Sequence, residues 1–218
     1  MSLPAKISIC LLGLLFLTGG EARGVGFGIT SGMDYQDRNF SSGSQEYDIR
    51  QILFFVQPQL NLDENWKLFA RIGYSNLVYD SPARGGKDYD EWGWEWGGGV
   101  GWTPLRWSGL YLGSEAGFFL TRTDGNSRQG DYLNWGIDIR GGWNLGVIDA
   151  YLGAAYDDGL VKDSSSDPED GYDDKYRLDD PWSLFAGARL NVPFLPNLHG
   201  RYYFGKDKLA FLALSYEF

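Results

Sequence analysis

The sequence predicts an all-β chain closed into a transmembrane antiparallel up-and-down β-barrel, of ten strands or, as the alternative count, eight. Three observations lead there. Long stretches alternate apolar and polar residues with period two, as strands with two unlike faces do. Aromatic residues make up 17% of the 218 residues, with 9 Trp and 14 Tyr, an excess suited to aromatic girdles at two membrane interfaces. The last ten residues are Leu209-Ala210-Phe211-Leu212-Ala213-Leu214-Ser215-Tyr216-Glu217-Phe218. There Ala210, Leu212, Leu214, Tyr216 and Phe218 share one face, and Ser215 and Glu217 share the other, as a barrel's closing strand requires.

Composition bounds the function classes. Mean hydropathy is −0.32, too polar for a helical membrane protein. A net charge of −10 without any basic stripe excludes nucleic acid as a partner. Residues 1–22 read as a cleaved signal peptide. Lys6 supplies a positive start, residues 7–17 are apolar but too short to span a bilayer, and Gly20-Glu21-Ala22 ends in a small residue. Cys10 lies inside the apolar run after Ile9, not after a small residue, which argues against lipoprotein acylation. Cleavage leaves residues 23–218 as one barrel domain without cysteine, so no disulfide, thiol nucleophile or thiolate metal site is expected.

The first strand alternates Val25, Phe27, Ile29 and Met33 with Gly26, Gly28, Thr30 and Gly32, and residues 37–46 read as a polar loop. In the second, Phe54, Val56, Pro58, Leu60 and Leu62 share a face, but Tyr47 and Ile49 have the opposite parity. A bulge near residues 50–53 would reconcile them, and Pro58, which lacks an N–H, marks a further irregularity. A tight turn at 63–65 leads to Leu68, Ala70, Ile72 and Tyr74, opposed by Lys67, Phe69, Arg71, Gly73 and Ser75; a loop at 80–90 follows.

The fourth strand is the clearest, with Trp92, Trp94, Trp96, Val100 and Trp102 on one face and Glu91, Gly93, Glu95, Gly97, Gly99 and Gly101 on the other. Ten steps of about 3.3 Å at a tilt of roughly 40° carry it about 25 Å along the membrane normal, the height of an apolar band with a Trp at each edge. After a turn at 104–108, Leu110, Leu112, Ala116, Phe118 and Leu120 alternate with Tyr111, Gly113, Glu115, Gly117 and Phe119. A loop at 123–131 precedes Leu133, Trp135, Ile137, Ile139, Trp143 and Leu145, opposed by Asn134, Gly136, Asp138, Arg140, Gly142 and Asn144. A turn at 146–148 leads to Ala150, Leu152, Ala154 and Tyr156.

Residues 157–180 carry ten Asp or Glu against Lys162, Lys175 and Arg177, and read as a long acidic loop. Trp182, Leu184, Ala186, Ala188, Leu190 and Val192 then alternate with Phe185, Gly187, Arg189 and Asn191. A turn at 193–197, a short strand around 200–204 and a tight hairpin at 205–208 reach the final strand. Short turns alternate with longer connections, and the even strand count places both strand termini at the short-turn end. Only the last pair of strands lacks a long outer connection.

A soluble barrel would have to bury four Trp of one strand and leave Gly, Glu and Arg outside. The reverse arrangement is coherent, with Trp and Leu meeting lipid and polar groups filling the lumen. The apolar export segment, the alternating strands and the terminal Ser215-Tyr216-Glu217-Phe218 together resemble the small Gram-negative outer-membrane β-barrel superfamily, OmpA-like in the broad sense. That resemblance implies an outer-membrane location, contact with outer-membrane lipids and lipopolysaccharide, and recognition by the barrel-assembly machinery through Tyr216 and Phe218. It carries over no catalytic residue and no surface partner.

Inward parity collects Arg71, Glu95, Glu115, Asp138, Arg140, Arg189 and Arg201 as a charged belt. Such a belt either pairs off its charges to fix strand register or lines a narrow polar pathway. Pairing of Arg71, Arg140 and Arg189 with Glu95, Glu115 and Asp138 would close the lumen. The lumenal glycines either mark open space or make room for long and aromatic side chains. Trp66, Trp92, Trp102, Trp135, Trp143 and Trp182 are the expected girdle. Barrel hydrolases related to this superfamily place a His near the outer rim or in the membrane, beside Asp or Ser. The one histidine, His199, falls at the short-turn end without either nearby in sequence. Asp163, Asp167, Glu169, Asp170, Asp173 and Asp174 are oxygen ligands of the kind Ca²⁺ takes, but not at the spacing of a calcium loop. The expectation is a structural or surface-interaction barrel with no catalytic, cofactor or metal residues, and a narrow channel as the alternative.

Overall fold

A computed structural model describes residues 25–42, 45–80, 89–124, 128–165, 173–192, 194–205 and 208–218; the expected signal peptide lies outside them. The strands are β1 (Gly26–Ser42), β2 (Gln45–Asn61), β3 (Trp66–Asp80), β4 (Tyr89–Trp107), β5 (Leu110–Asp124), β6 (Arg128–Asn144), β7 (Ile148–Ser165), β8 (Asp173–Leu178), β9 (Trp182–Leu190), β10 (Asn197–Phe204) and β11 (Lys208–Glu217). All but β8 form a closed antiparallel ring of ten, in which β11 returns to β1 from Gly28↔Glu217 to Asp37↔Lys208. Closure gives the backbone polar groups partners within the wall, as an apolar surround demands.

The short turns follow from local chemistry. Asp63 Oδ1 accepts hydrogen bonds from the backbone N–H groups of Asn65 and Trp66, each at 2.7 Å, which folds the β2–β3 turn. The β4–β5 turn is shorter than the expected 104–108: only Ser108 and Gly109 separate the pair Trp107↔Leu110, both with positive φ (49° and 86°). A two-residue hairpin of matching twist requires that conformation. The register shift between Trp102 and Leu105 accommodates Pro104.

Three of the longer connections are strand over most of their described residues, contrary to the sequence reading. β1 and β2 stay in one register out to Ser42↔Gln45, so the predicted loop at 37–46 is a continued hairpin. Thr123↔Gly130 and Asp124↔Gln129 likewise pair within the predicted loop at 123–131. The acidic stretch supplies the upper half of β7 and all of β8. In each case the apolar outward face ends before the backbone pairing does.

β2 has no bulge. Its register with β1 is unbroken, and Ile49, only 3% exposed, faces inward with Leu53 and Phe55. Its parity marks the point where the lumen becomes apolar. Pro58 does coincide with an irregularity, because β2–β3 pairing lapses at Gln57 and Pro58 and resumes in phase.

The outer end is built differently from the rest. β9, β10 and β11 have 9, 8 and 10 residues, against 17 in β1 and 18 in β7. β9 pairs with β7 only from Ile148 to Tyr156; above that, Leu160–Ser164 pair with β8. Pro181 interrupts what would otherwise be one strand, and its carbonyl accepts the Asp157 N–H at 2.8 Å. On its other side β8 meets β1 at Phe40↔Leu178 and Ser41↔Arg177, and the Asp179 N–H donates to the Asn39 carbonyl at 3.0 Å. Ser41 and Asp179 are also joined through their side chains. The barrel therefore has ten strands below and eight, β1 to β8, at its outer end.

Candidate functional site

The lumen fills in three levels. At the outer end Phe40, Ile49, Leu77, Tyr132, Val161, Tyr176 and Leu178 form a buried apolar core drawn from six strands, with Phe40 and Tyr132 edge to face at 5.7 Å. Each such side chain contributes about 1.5–3 kcal/mol on burial.

The middle level is the charged belt, and all seven predicted residues have inward parity. Arg71 lies 3.7 Å from Glu95 and 3.6 Å from Asp34. Glu115 takes Lys67 at 2.6 Å and Arg140 at 3.4 Å; Asp138 takes Arg201 at 3.0 Å and Arg140 at 3.7 Å. Arg189 does not join the network, contrary to the pairing expected of it. It lies toward the short-turn end, directly opposite Asp149 and His199 in the sheet register. Sequence parity had not singled out Asp34, Lys67 or the Arg38–Asp157 pair at 3.0 Å. Arg38 and Asp157 fall in segments read as loops, and the Arg201–Asp138 contact spans β10 and β6, which no neighbour rule joins.

Aromatic rings pack around the guanidinium groups. Arg71 lies 3.7 Å from the Phe119 ring centre and 5.1 Å from that of Phe55, and Arg201 lies 4.6 Å from that of Phe185. Glu95, 4% exposed, also accepts from the Thr121 hydroxyl at 3.1 Å and the Gln51 amide at 3.4 Å, and that amide donates to Ser75 at 2.9 Å. The glycines serve these rings rather than open space. A side chain at Gly142 would meet Tyr111, at Gly187 Tyr151, and at Gly153 Phe185. A cavity of about 110 Å³ remains between Asp34, Arg38, Glu95, Asp138 and Arg201.

Below the belt an open cup of about 770 Å³ faces the short turns, its rim formed by residues 63–65, 107–109, Asn144 and Asn191. His199 lies in its wall, hydrogen-bonded to the Tyr151 hydroxyl and edge-on to Phe211 at 5.1 Å. Among the described residues its side-chain partners are thus Tyr151 and Phe211. Among the described residues no cluster of His, Cys, Asp or Glu is placed to hold a metal. Asp163, Asp173 and Asp174 belong to β7 and β8, whereas Asp167, Glu169 and Asp170 lie outside the described residues.

No family model and no curated protein matches the chain. Solved structures do. The translocator domain of the autotransporter NalP from Neisseria meningitidis aligns over 98% of this chain and 96% of its own, at 13% identity and a TM-score of 0.53. The outer membrane protein OprG from Pseudomonas aeruginosa aligns over 89% and 97%, at 10% identity and 0.50. The fold is that of a small outer-membrane β-barrel. A third alignment, to the outer membrane protease OmpT from Escherichia coli, covers 89% and 95% at 11% identity and 0.46.

The outward face of this outer-membrane-type barrel carries all six tryptophans expected of a girdle, each 43–65% exposed. Trp66 stacks on Trp102 at 5.5 Å near the short turns, while Trp135, Tyr156 and Trp182 cluster higher up. Trp96 and Leu112 also face outward. Leu112 is no mid-height position, however: it pairs with Leu105, beyond the irregularity that follows Trp102 and two residues from the turn. Ile72, paired with Trp96 and Val56, occupies mid-height instead. Tyr216 and Phe218 are exposed on the same outward face, and Phe218 stacks on Phe27 at 5.9 Å.

Proposed function

We propose that this chain, exported with a signal peptide cleaved near residue 22, is a closed outer-membrane barrel with a structural or surface-interaction role. It is not an enzyme on this reading, and it presents the strand ends around β8 at the cell surface. The observation that supports closure most is the lumen, blocked at two heights, by ion pairs seated on aromatic rings and by the apolar core above them. The five basic side chains Arg38, Lys67, Arg71, Arg140 and Arg201 face the five acidic ones Asp34, Glu95, Glu115, Asp138 and Asp157, which leaves little unpaired charge to hydrate a passage. The refolded protein in planar bilayers is expected to give no stepwise currents. Reproducible open-channel currents would favour the narrow-channel alternative and overturn closure.

Two further outcomes follow from the membrane reading. Arginine at Ile72, at mid-height, should cost about 2–4 kcal/mol in vesicle refolding titrations, and arginine at Trp107, the last residue of β4 before the turn, about 0–1 kcal/mol. Equal penalties would mean that the outward face does not meet a hydrocarbon slab. Deleting Phe218 should lower the yield of assembled barrel in cell envelopes while changing the unfolding midpoint of the purified barrel little. An unchanged envelope yield would remove Tyr216 and Phe218 as a signal to the assembly machinery.

A further inference from the structure

We infer that the cavity between the charged belt and the apolar core binds a cluster of water molecules, which joins two separate groups of ion pairs into one hydrogen-bonded plug. At about 110 Å³ the cavity has room for about three waters, at roughly 30 Å³ each. Its wall includes Arg71 and Asp138 of the belt. It also includes Arg38 and Asn134, each two residues along its strand from Phe40 or Tyr132 of the apolar core.

The polar lining of this cavity is unfinished. Among the described residues no hydrogen bond meets Gln36 Oε1, Glu95 Oε1, Asn134 Oδ1 or Asp138 Oδ1, nor the Nε–H groups of Arg71 and Arg201. All six residues line the cavity, and Gln36, Glu95 and Asp138 are each 9% exposed or less. Leaving such atoms unpaired is costly, and bound water is their usual partner where protein groups do not reach. The set holds donors as well as acceptors, which suits a molecule that both gives and takes hydrogen bonds. The charges leave no surplus for an ion. Asp34, Glu95, Glu115, Asp138 and Asp157 are matched by Arg38, Arg71 and Arg201 and by Lys67 and Arg140 beyond them.

The belt's ion pairs form one group around Arg71 and another around Glu115 and Asp138, and among the described residues no salt bridge joins the two. Both groups face the cavity. Arg71 stands 3.6 Å from Asp34 and 3.7 Å from Glu95, just beyond direct hydrogen-bond reach, and a water beside both atoms bridges such a separation. These waters complete groups that are already ion-paired. A few held molecules do not solvate a stranded charge as bulk water does.

The inference rests on the closed-lumen reading, since an open passage would exchange these waters freely. The two fail differently: a dry cavity overturns the cluster alone, whereas stepwise currents overturn both. The barrel, perdeuterated and back-exchanged in micelles, is measured by NOE and ROE spectroscopy. Water cross-peaks are expected at the side-chain amide protons of Gln36 and Asn134, opposite in sign in the two spectra, as for water that tumbles with the protein. Asn134→Leu separates the alternatives by the sign of its effect. With water present, the larger apolar side chain displaces it and strands Asp138 and Arg201, so the Gln36 cross-peak should weaken and the urea midpoint fall by about 0.5 M or more. In a dry cavity the same substitution fills a void and removes an unpaired oxygen, and the midpoint would rise. Absence of water cross-peaks from the wild type, or a raised midpoint in Asn134→Leu, would overturn the cluster. If the variant does not refold, the wild-type spectra decide alone.

Discussion

Arg71→Gln is expected to destabilise the folded barrel by about 3–5 kcal/mol, because it strands two buried carboxylates at once. Side-chain exposure is 13% for Arg71, 15% for Asp34 and 5% for Glu95, so water can do little to replace the lost cation. The substitution also removes the guanidinium packed against Phe119 and Phe55. Adding Glu95→Gln should recover part of the loss, since one of the two stranded charges is then gone while the hydrogen bonds from Thr121 and Gln51 still have an oxygen to meet. A double-mutant cycle in urea titrations reads the coupling directly. Strictly additive penalties would mean that solvent reaches these groups and that the belt is a wet pathway.

Phe40→Ala should cost about as much, 3–5 kcal/mol, for a different reason. Phe40 is fully buried and packs with Tyr132 and with Tyr176 and Leu178 of β8. β8 is tied to β1 through Phe40↔Leu178 and Ser41↔Arg177, so the same substitution should loosen it first. Amide exchange at Tyr176 and Leu178 is expected to speed up before exchange in β4 and β5 does. A loss under about 1 kcal/mol would show that the outer end is not a packed core.

Much of the barrel was legible because a strand that separates lipid from lumen has to alternate. Trp92 to Trp102 and Leu133 to Trp143 state their facing residue by residue. Legibility ended where the two faces stopped being chemically unlike. Ile49 breaks the parity of its strand because the lumen at that height is apolar, and a packed interior imitates a bulge in the sequence pattern. Asp157 to Ser165 looked like a loop because polar residues occupied both faces, although Val161 still points into the core. The belt was legible in part: Arg71, Glu95, Glu115, Asp138, Arg140 and Arg201 meet in the network, whereas Arg189 stands apart and Asp34, Lys67, Arg38 and Asp157 carried no distinguishing signal. Arg71 with Glu95 and Glu115 with Arg140 are pairs between adjacent strands, while Arg201 reaches Asp138 across the barrel, and sequence order holds no trace of that contact.

The three short final strands bear on how this molecule behaves among copies of itself. Where β9 and β11 stop, the upper parts of β7 and β1 would otherwise expose rows of unpaired N–H and C=O groups to water. Such edges are templates on which a strand from another chain can add, the first step toward aggregation. β8 occupies both at once, pairing with Leu160–Ser164 on one side and with Phe40 and Ser41 on the other. Three of the ten strands can thus end early without leaving the outer end of the protein sticky.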